Sequence, residues 1–217
     1  MPSKPRHTCR TSYFEVPPHV YSVAESAFAA ILRTRQPQSL IISGESGAGK
    51  TEAAKQCLRF LSHVSQEAAK NSGKLAETVR NRLLVSTVLL EGFGNAKTTR
   101  NDNSSRFGKL MSVAFSSRGG VESGAVDIFL LEKNRVIRQA EGERSFHVLH
   151  YLAAGASADL RRSMKLQEKG ALHAYLQGTT LASDASSFAA MQQCAAAMGM
   201  PVADSNDIWK VRESYYS

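Results

Sequence analysis

Residues 44 to 51 read Gly44-Glu45-Ser46-Gly47-Ala48-Gly49-Lys50-Thr51. The pattern is a glycine, four residues, a further glycine, a lysine and a hydroxyl. Such glycines let the backbone curl so that N–H groups face phosphate oxygens with no side chain in the way. Lys50 is then placed to reach β- and γ-phosphates, and the Thr51 hydroxyl to hold Mg²⁺. The flanks agree. Ser39-Leu40-Ile41-Ile42-Ser43 is a short apolar run of the kind found as a buried strand in parallel sheets covered on both faces. After Thr51 the apolar period becomes helical. Ala54, Leu58, Leu61 and Val64 share a face, and Glu52 lies in the first turn, where the helix dipole favours an anion. Strand, glycine loop and helix in this order predict an α/β fold with phosphates at a helix N-terminus.

The chain has 217 residues, enough for one large domain or two small ones. No apolar run approaches the length of a membrane-spanning helix. Met1 to Arg10 is basic but lacks the apolar stretch of a signal peptide, so the expected compartment is the cytoplasm. Cys9, Cys57 and Cys194 are far apart and show neither metal-ligand nor redox spacing, which predicts reduced structural thiols. The net charge is +8, but the basic residues are scattered and not interleaved with aromatics. That pattern describes a solvated surface and argues against a nucleic-acid platform.

Pro17-Pro18 stops the chain ahead of a predicted helix with Ser22 and Glu25 at capping-box spacing and an apolar stripe of Ala24, Ala27, Phe28, Ile31 and Leu32. Arg33, Arg35 and Pro37 suit its end. Gln66 to Ala76 reads as a surface loop around Asn71-Ser72-Gly73, and Thr78 to Leu90 as a helix with Gly92 and Gly94 beyond it. Gly108 to Phe115 and Ala125 to Leu131 read as strands joined by Ser116-Ser117-Arg118-Gly119-Gly120. Ser145 is the expected cap of a helix reaching Ala154. Asp184 is the expected cap of another, with Phe188, Met191, Ala195 and Met198 as a core stripe and Gly199 closing it. Ile208 to Tyr215 reads as the opening of one more helix.

About fifty residues after the glycine loop comes Asn101-Asp102-Asn103-Ser104-Ser105-Arg106-Phe107-Gly108-Lys109. By chemistry alone this is a hydroxyl-rich loop with one arginine, able to offer a hydroxyl to Mg²⁺, an amide to a phosphate and a guanidinium to a charge partner. An Asn/Ser-rich surface turn has the same composition. Together the two segments closely resemble the P-loop and switch I of the myosin motor domain. Further blocks agree in order: Pro17-Pro18-His19-Val20-Tyr21, Leu90-Glu91-Gly92-Phe93-Gly94-Asn95-Ala96-Lys97-Thr98, Leu130-Leu131-Glu132-Lys133-Asn134-Arg135-Val136 and Gly142-Glu143-Arg144-Ser145-Phe146-His147.

The resemblance implies a P-loop NTPase fold, with a mixed, mostly parallel sheet flanked by helices. It implies a divergent segment over 1–16 and a partial motor domain over 17–217. The implied cofactors are ATP and Mg²⁺, the implied partner actin filaments, and the implied location the cytoskeleton. By the same resemblance Gly44, Glu45, Ser46, Gly47, Ala48, Gly49, Lys50, Thr51 and Asn101 bind nucleotide, and Thr51 and Ser105 face the metal. Ser104 lies by the γ-phosphate and attacking water, and Arg106 pairs with a switch II glutamate. Switch II itself, an apolar strand ending in Asp-Ile-x-Gly-Phe-Glu, has no counterpart here. Asp127-Ile128-Phe129 lacks the Gly-Phe-Glu and reads as part of a strand. Thr87-Val88 and Gly92 also depart from the residues common in the family. The expectation is a piece of a motor that leaves Arg106 without its family partner, and that hydrolyses ATP slowly or not at all. The alternatives are a nucleotide-binding module without turnover, and a P-loop kinase, for which no acceptor site is evident.

Overall fold

The computed structural model describes residues 19–68, 73–164, 176, 181–201 and 207–209. Helix α1 is Val20–Thr34, α2 Lys50–Ala68 and α3 Gly73–Gly94. Strands β1 (Asn95–Ala96) and β2 (Ser104–Ser105) form one antiparallel pair, and β3 (Gly108–Phe115) and β4 (Val121–Phe129) form another. A 3₁₀ turn at Lys133–Val136 leads to α4 (His147–Gly155), α5 (Ala158–Ser163) and α6 (Asp184–Ala197).

The expected parallel sheet does not form among the described residues, where both strand pairs are antiparallel. Residues 39–43 carry no strand, and Ile41 is 91% exposed. An apolar run becomes a buried strand only when neighbours accept and donate its backbone hydrogen bonds, and parallel neighbours arrive only through long crossovers. The β3–β4 hairpin stands at the predicted place, with β4 starting four residues earlier than expected. It packs on α3 and does not extend a sheet: a side chain at Gly124 would meet Leu83 and Val79. Asp127 is a strand residue opposite Leu110.

The helices differ from expectation mainly at their ends. At α1 the extended backbone of His19 leads in, and its Nδ1 accepts the Tyr21 N–H at 3.1 Å. Ser22 is already inside the helix and donates its hydroxyl to His19 O at 2.7 Å, so the cap lies three residues earlier than the predicted one. Arg35 closes α1 in the left-handed region, and its guanidinium donates to Ser117 O in the hairpin turn at 2.6 Å. The predicted loop over 66–76 is shorter: α2 runs to Ala68 and α3 begins at Gly73. Gly92 and Gly94 lie within α3, not beyond it. Ser145 does not cap α4; its hydroxyl turns to Arg135 O. Asp184 opens α6, but its carboxylate accepts the Leu181 N–H and an arginine, leaving the helix without a side-chain cap. Gly199, at φ 81°, ends α6 as expected. Of the helix expected from Ile208, residues 210–215 lie outside the described residues.

The core lies between α3, α4 and α6. Leu89, Phe146, Val148, Leu149, Leu152, Phe188, Met191, Ala195 and Trp209 are buried together, with Met198 packed at the edge. The methionine-containing stripe is therefore core. α4 and α6 approach closely at Gly155, where a Cβ would lie 2.6 Å from Phe188 Cβ and 3.0 Å from the Ala185 carbonyl oxygen. Neither neighbour is a flexible side-chain tip. A Gly155→Ala substitution should destabilise the fold by about 1–3 kcal/mol through overpacking. The helix-propensity gain of at most about 1 kcal/mol does not offset this. Urea titration with an unchanged slope and a lowered midpoint is the expected result, and an unaltered midpoint would contradict the packing described.

Candidate functional site

The glycine loop adopts the backbone its composition calls for. Gly47 and Gly49 sit at φ 84° and 82°, where side chains with a Cβ are strained. From there the chain enters α2 at Lys50, with the Ala53 N–H already donating to Gly49 O at 2.9 Å. Lys50 Nζ folds over the loop and donates to Gly44 O and Glu45 O at 2.6 and 2.7 Å. Thr51 lies in the first turn of α2, next to Glu52.

The second polar segment comes up against this loop. Ser46 Oγ and Ser104 Oγ are 3.2 Å apart, across 58 residues of sequence. A Cβ on Gly47 would lie 4.0 Å from Asn101 Nδ2, so the two segments face each other at that point as well. Asn101 Oδ1 accepts the Asn103 N–H at 2.9 Å and shapes the turn before β2. Ser104 is buried, whereas Ser105 beside it is exposed and pairs with Asn95 in the β1–β2 ladder. The structure thus brings Ser104 and Asn101 to the loop, and Arg106 reaches it only through Ser104. Lys50 turns onto loop carbonyls.

Two functional neighbours escape the sequence. Glu132 takes Arg106, whose Nε and Nη2 donate to its two carboxylate oxygens at 2.7 and 3.0 Å. Arg106, expected to lack its family partner, pairs instead with this glutamate 26 residues onward. The third arm, Nη1, donates to Ser104 Oγ at 3.2 Å. Behind Glu132 stands Arg135, only 5% exposed, which also donates to Glu132 at 2.7 Å and meets Glu143 at 2.9 Å. The Arg106 guanidinium, hydrogen-bonded to it first of all, holds the Glu132 carboxyl down at about 2. The Glu132 carboxylate in turn raises Arg106. The signal in the sequence is the block Leu130 to Val136, which resembles the family but assigns its glutamate no role.

Asn103 is the other neighbour. Its Oδ1 accepts from Asn95 Nδ2 at 2.9 Å and faces His147 Nε2 at 3.1 Å, and its Nδ2 donates to Glu91 Oε2 at 3.3 Å. Glu91 also pairs with Lys55 of α2 at 3.5 Å. This side-chain set ties the turn before β2 to α2, α3 and α4. Beneath it lie His147, His150, Arg144 and Asp184, all buried, with Arg144 Nη2 on Asp184 Oδ2 at 2.8 Å. Burial, reinforced by the positive Arg144, pushes His147 down to about 4 and His150 down to about 3. Asp184 and Asp102 oppose the shift at His147 only in part. Among the described residues no group of three or more His, Cys, Asp or Glu side chains could hold a metal ion.

The sequence pattern of the myosin head (motor domain) family matches residues 7–215 of this chain. Unconventional myosin-Ia of Rattus norvegicus is 41% identical over 192 residues, which are 87% of this chain and 22% of the rat protein. Myosin IE heavy chain of Dictyostelium discoideum is 38% identical over 203 residues, covering 91% and 20% respectively. Unconventional myosin IC of Drosophila melanogaster is 42% identical over 186 residues, covering 83% and 18%. The chain spans about a fifth of the length of these curated relatives.

The buried histidines set a direction for pH dependence. Each is neutral when folded and basic when unfolded, so between about pH 6.5 and pH 3 the unfolded chain binds more protons. Their contribution to stability is complete above pH 6.5 and is lost as the pH falls through the folded values. Glu132 adds to the loss from about pH 4.5 down to about 2. Melting temperature should therefore fall as pH drops from 7 towards 4, before most carboxylates titrate. His150→Leu should flatten that limb, since neither ring nitrogen of His150 has a hydrogen-bond partner. An equally steep limb in the variant would contradict the assignment.

Proposed function

We propose that this chain, which belongs to the myosin head (motor domain) family, is the nucleotide-gripping part of an actin-based motor ATPase. Residues 17–217 form part of the motor domain in this reading, after a divergent segment 1–16. The observation that carries it is the 3.2 Å approach of Ser46 to Ser104. Two polar segments far apart in sequence line one site, as recognition of a triphosphate from two sides requires.

The donor set suits Mg·ATP. Gly44, Glu45, Ser46, Gly47, Ala48 and Gly49 offer backbone N–H groups, and the N-terminus of α2 favours an anion. Lys50 Nζ, held by two carbonyls within the loop, exchanges them for phosphate oxygens. Asn101 supports the phosphates from the facing turn. Thr51 and Ser105 supply the hard hydroxyl oxygens that Mg²⁺ prefers. When bound, the metal supplies charge neutralisation between phosphate oxygens. Ser104 orients the γ-phosphate and the attacking water, and Arg106, an ion-pair residue, holds the Ser104 hydroxyl from behind. In the longer relatives' setting, hydrolysis is coupled to movement along actin in the cytoskeleton. In this reading the 217 residues bind nucleotide and turn it over slowly or not at all. No helix among the described residues is long and apolar enough to cross a membrane.

Titration of the full chain with Mg·ATP, followed by phosphate release, tests this. Measurable binding with little turnover is expected. Lys50→Ala should weaken binding by about 10- to 100-fold, the loss of charge-assisted hydrogen bonds to phosphate. Rapid Mg²⁺-dependent turnover abolished by Lys50→Ala would remove the claim of incompetence. Transfer of the γ-phosphate to a small acceptor in preference to water would replace the motor reading by a kinase. Unchanged binding in Lys50→Ala would remove the site.

A further inference from the structure

An arginine's planar fork carries its donors in fixed directions, so holding two arms aims the third. Here the two held arms are Nε and Nη2, on the carboxylate of Glu132, and the aimed arm is Nη1, on Ser104 Oγ. Ser104 then meets Ser46 of the glycine loop. We propose that Glu132 is a positioning residue for γ-phosphate recognition, fixing the Arg106–Ser104 arm that faces the glycine loop. The proposal rests on the reading given above, in which Ser104 faces the γ-phosphate.

Glu132 is itself held from several directions. Its N–H donates to Arg106 O at 2.9 Å, so the two residues are paired through backbone as well as side chain. Arg135, buried and anchored on Glu143 and on Arg144 O, donates to the same carboxylate. Two residues before it, Leu130 stands at φ 55°, a left-handed conformation that is sterically disfavoured for a leucine. That bend ends β4 and turns the chain back towards Arg106. A surface ion pair worth little by itself would not account for a disfavoured backbone, a buried second arginine and a bidentate geometry together. With Arg106 Nη1 occupying one lone pair of Ser104 Oγ, the Ser104 hydroxyl hydrogen is left to be donated towards the loop or to a phosphate oxygen.

The test compares Mg·ATP with Mg·ADP binding to the full chain by fluorescence titration. Glu132→Gln should lose about tenfold in ATP affinity while ADP affinity moves by less than about twofold. Glu122→Gln changes an exposed carboxylate of β4 outside this set of contacts, and should bind both nucleotides as the unaltered chain does. Combined with Ser104→Ala, Glu132→Gln should add no further loss for ATP, because both changes break one relay. Should Glu132→Gln fail to fold, Glu132→Asp keeps the charge, shortens the reach and should give an intermediate, ATP-selective loss. Equal losses for ATP and ADP, or losses that add in the double variant, would overturn the proposal. Binding of neither nucleotide by the unaltered chain would overturn the site reading and this proposal with it. ATP binding that ignores Glu132 would overturn the proposal alone.

Discussion

Arg106 is where three parts of the chain meet, and the polar architecture of the site depends on how its hydrogen bonds are divided. Its N–H donates to Gly94 O at the end of α3, and its carbonyl accepts from Glu132 after β4. Its side chain spans from Glu132 to Ser104. Charge-assisted, bidentate bonds of this type are the strongest and most directional that side chains make. The two-residue β1–β2 ladder is too short to fix the Ser104 side chain by itself.

A second set of polar groups, running from the surface at Asn103 to buried residues below it, also carries the turn. Asn103 joins Asn95, Glu91 and His147, and the Arg144–Asp184 pair links the segment before α4 to the start of α6. A buried ion pair contributes little net stability, since desolvation offsets most of the attraction, but breaking one partner is strongly destabilising. Its effect is to admit one arrangement of α4 against α6 and to penalise slipped ones. The same low-polarity surroundings that keep His147 and His150 uncharged make this region sensitive to acid.

Several large apolar side chains remain on the surface. Ile41, Leu110, Ile128, Phe129 and Leu130 are all exposed. For Ile41 the cause is the missing strand partner. For Leu110 it is that the hairpin has two strands: paired with Asp127, it lies on the face opposite to Gly124 and so away from α3. Their local sequences are strand sequences, and a strand's second face is buried only by a partner that its own residues do not specify.

What the sequence determined by itself was everything that depends on a few neighbouring residues. The glycine pattern called for a backbone free to curl around an anion, the 3.6-residue apolar period placed α2 and α6, and Gly199 ended a helix. These follow from backbone sterics and side-chain spacing within one or two turns. The motifs also carried the family, because their wording is specific. What only the tertiary structure decided was which distant groups meet: Ser46 with Ser104, Arg106 with Glu132, Arg144 with Asp184. It also decided which end groups cap a helix, as at His19, and whether an apolar run finds a strand to pair with. A carboxylate or hydroxyl has the same local signature whatever it faces. Its partner is selected by the folding of tens of intervening residues, and only the packed chain brings the two within reach.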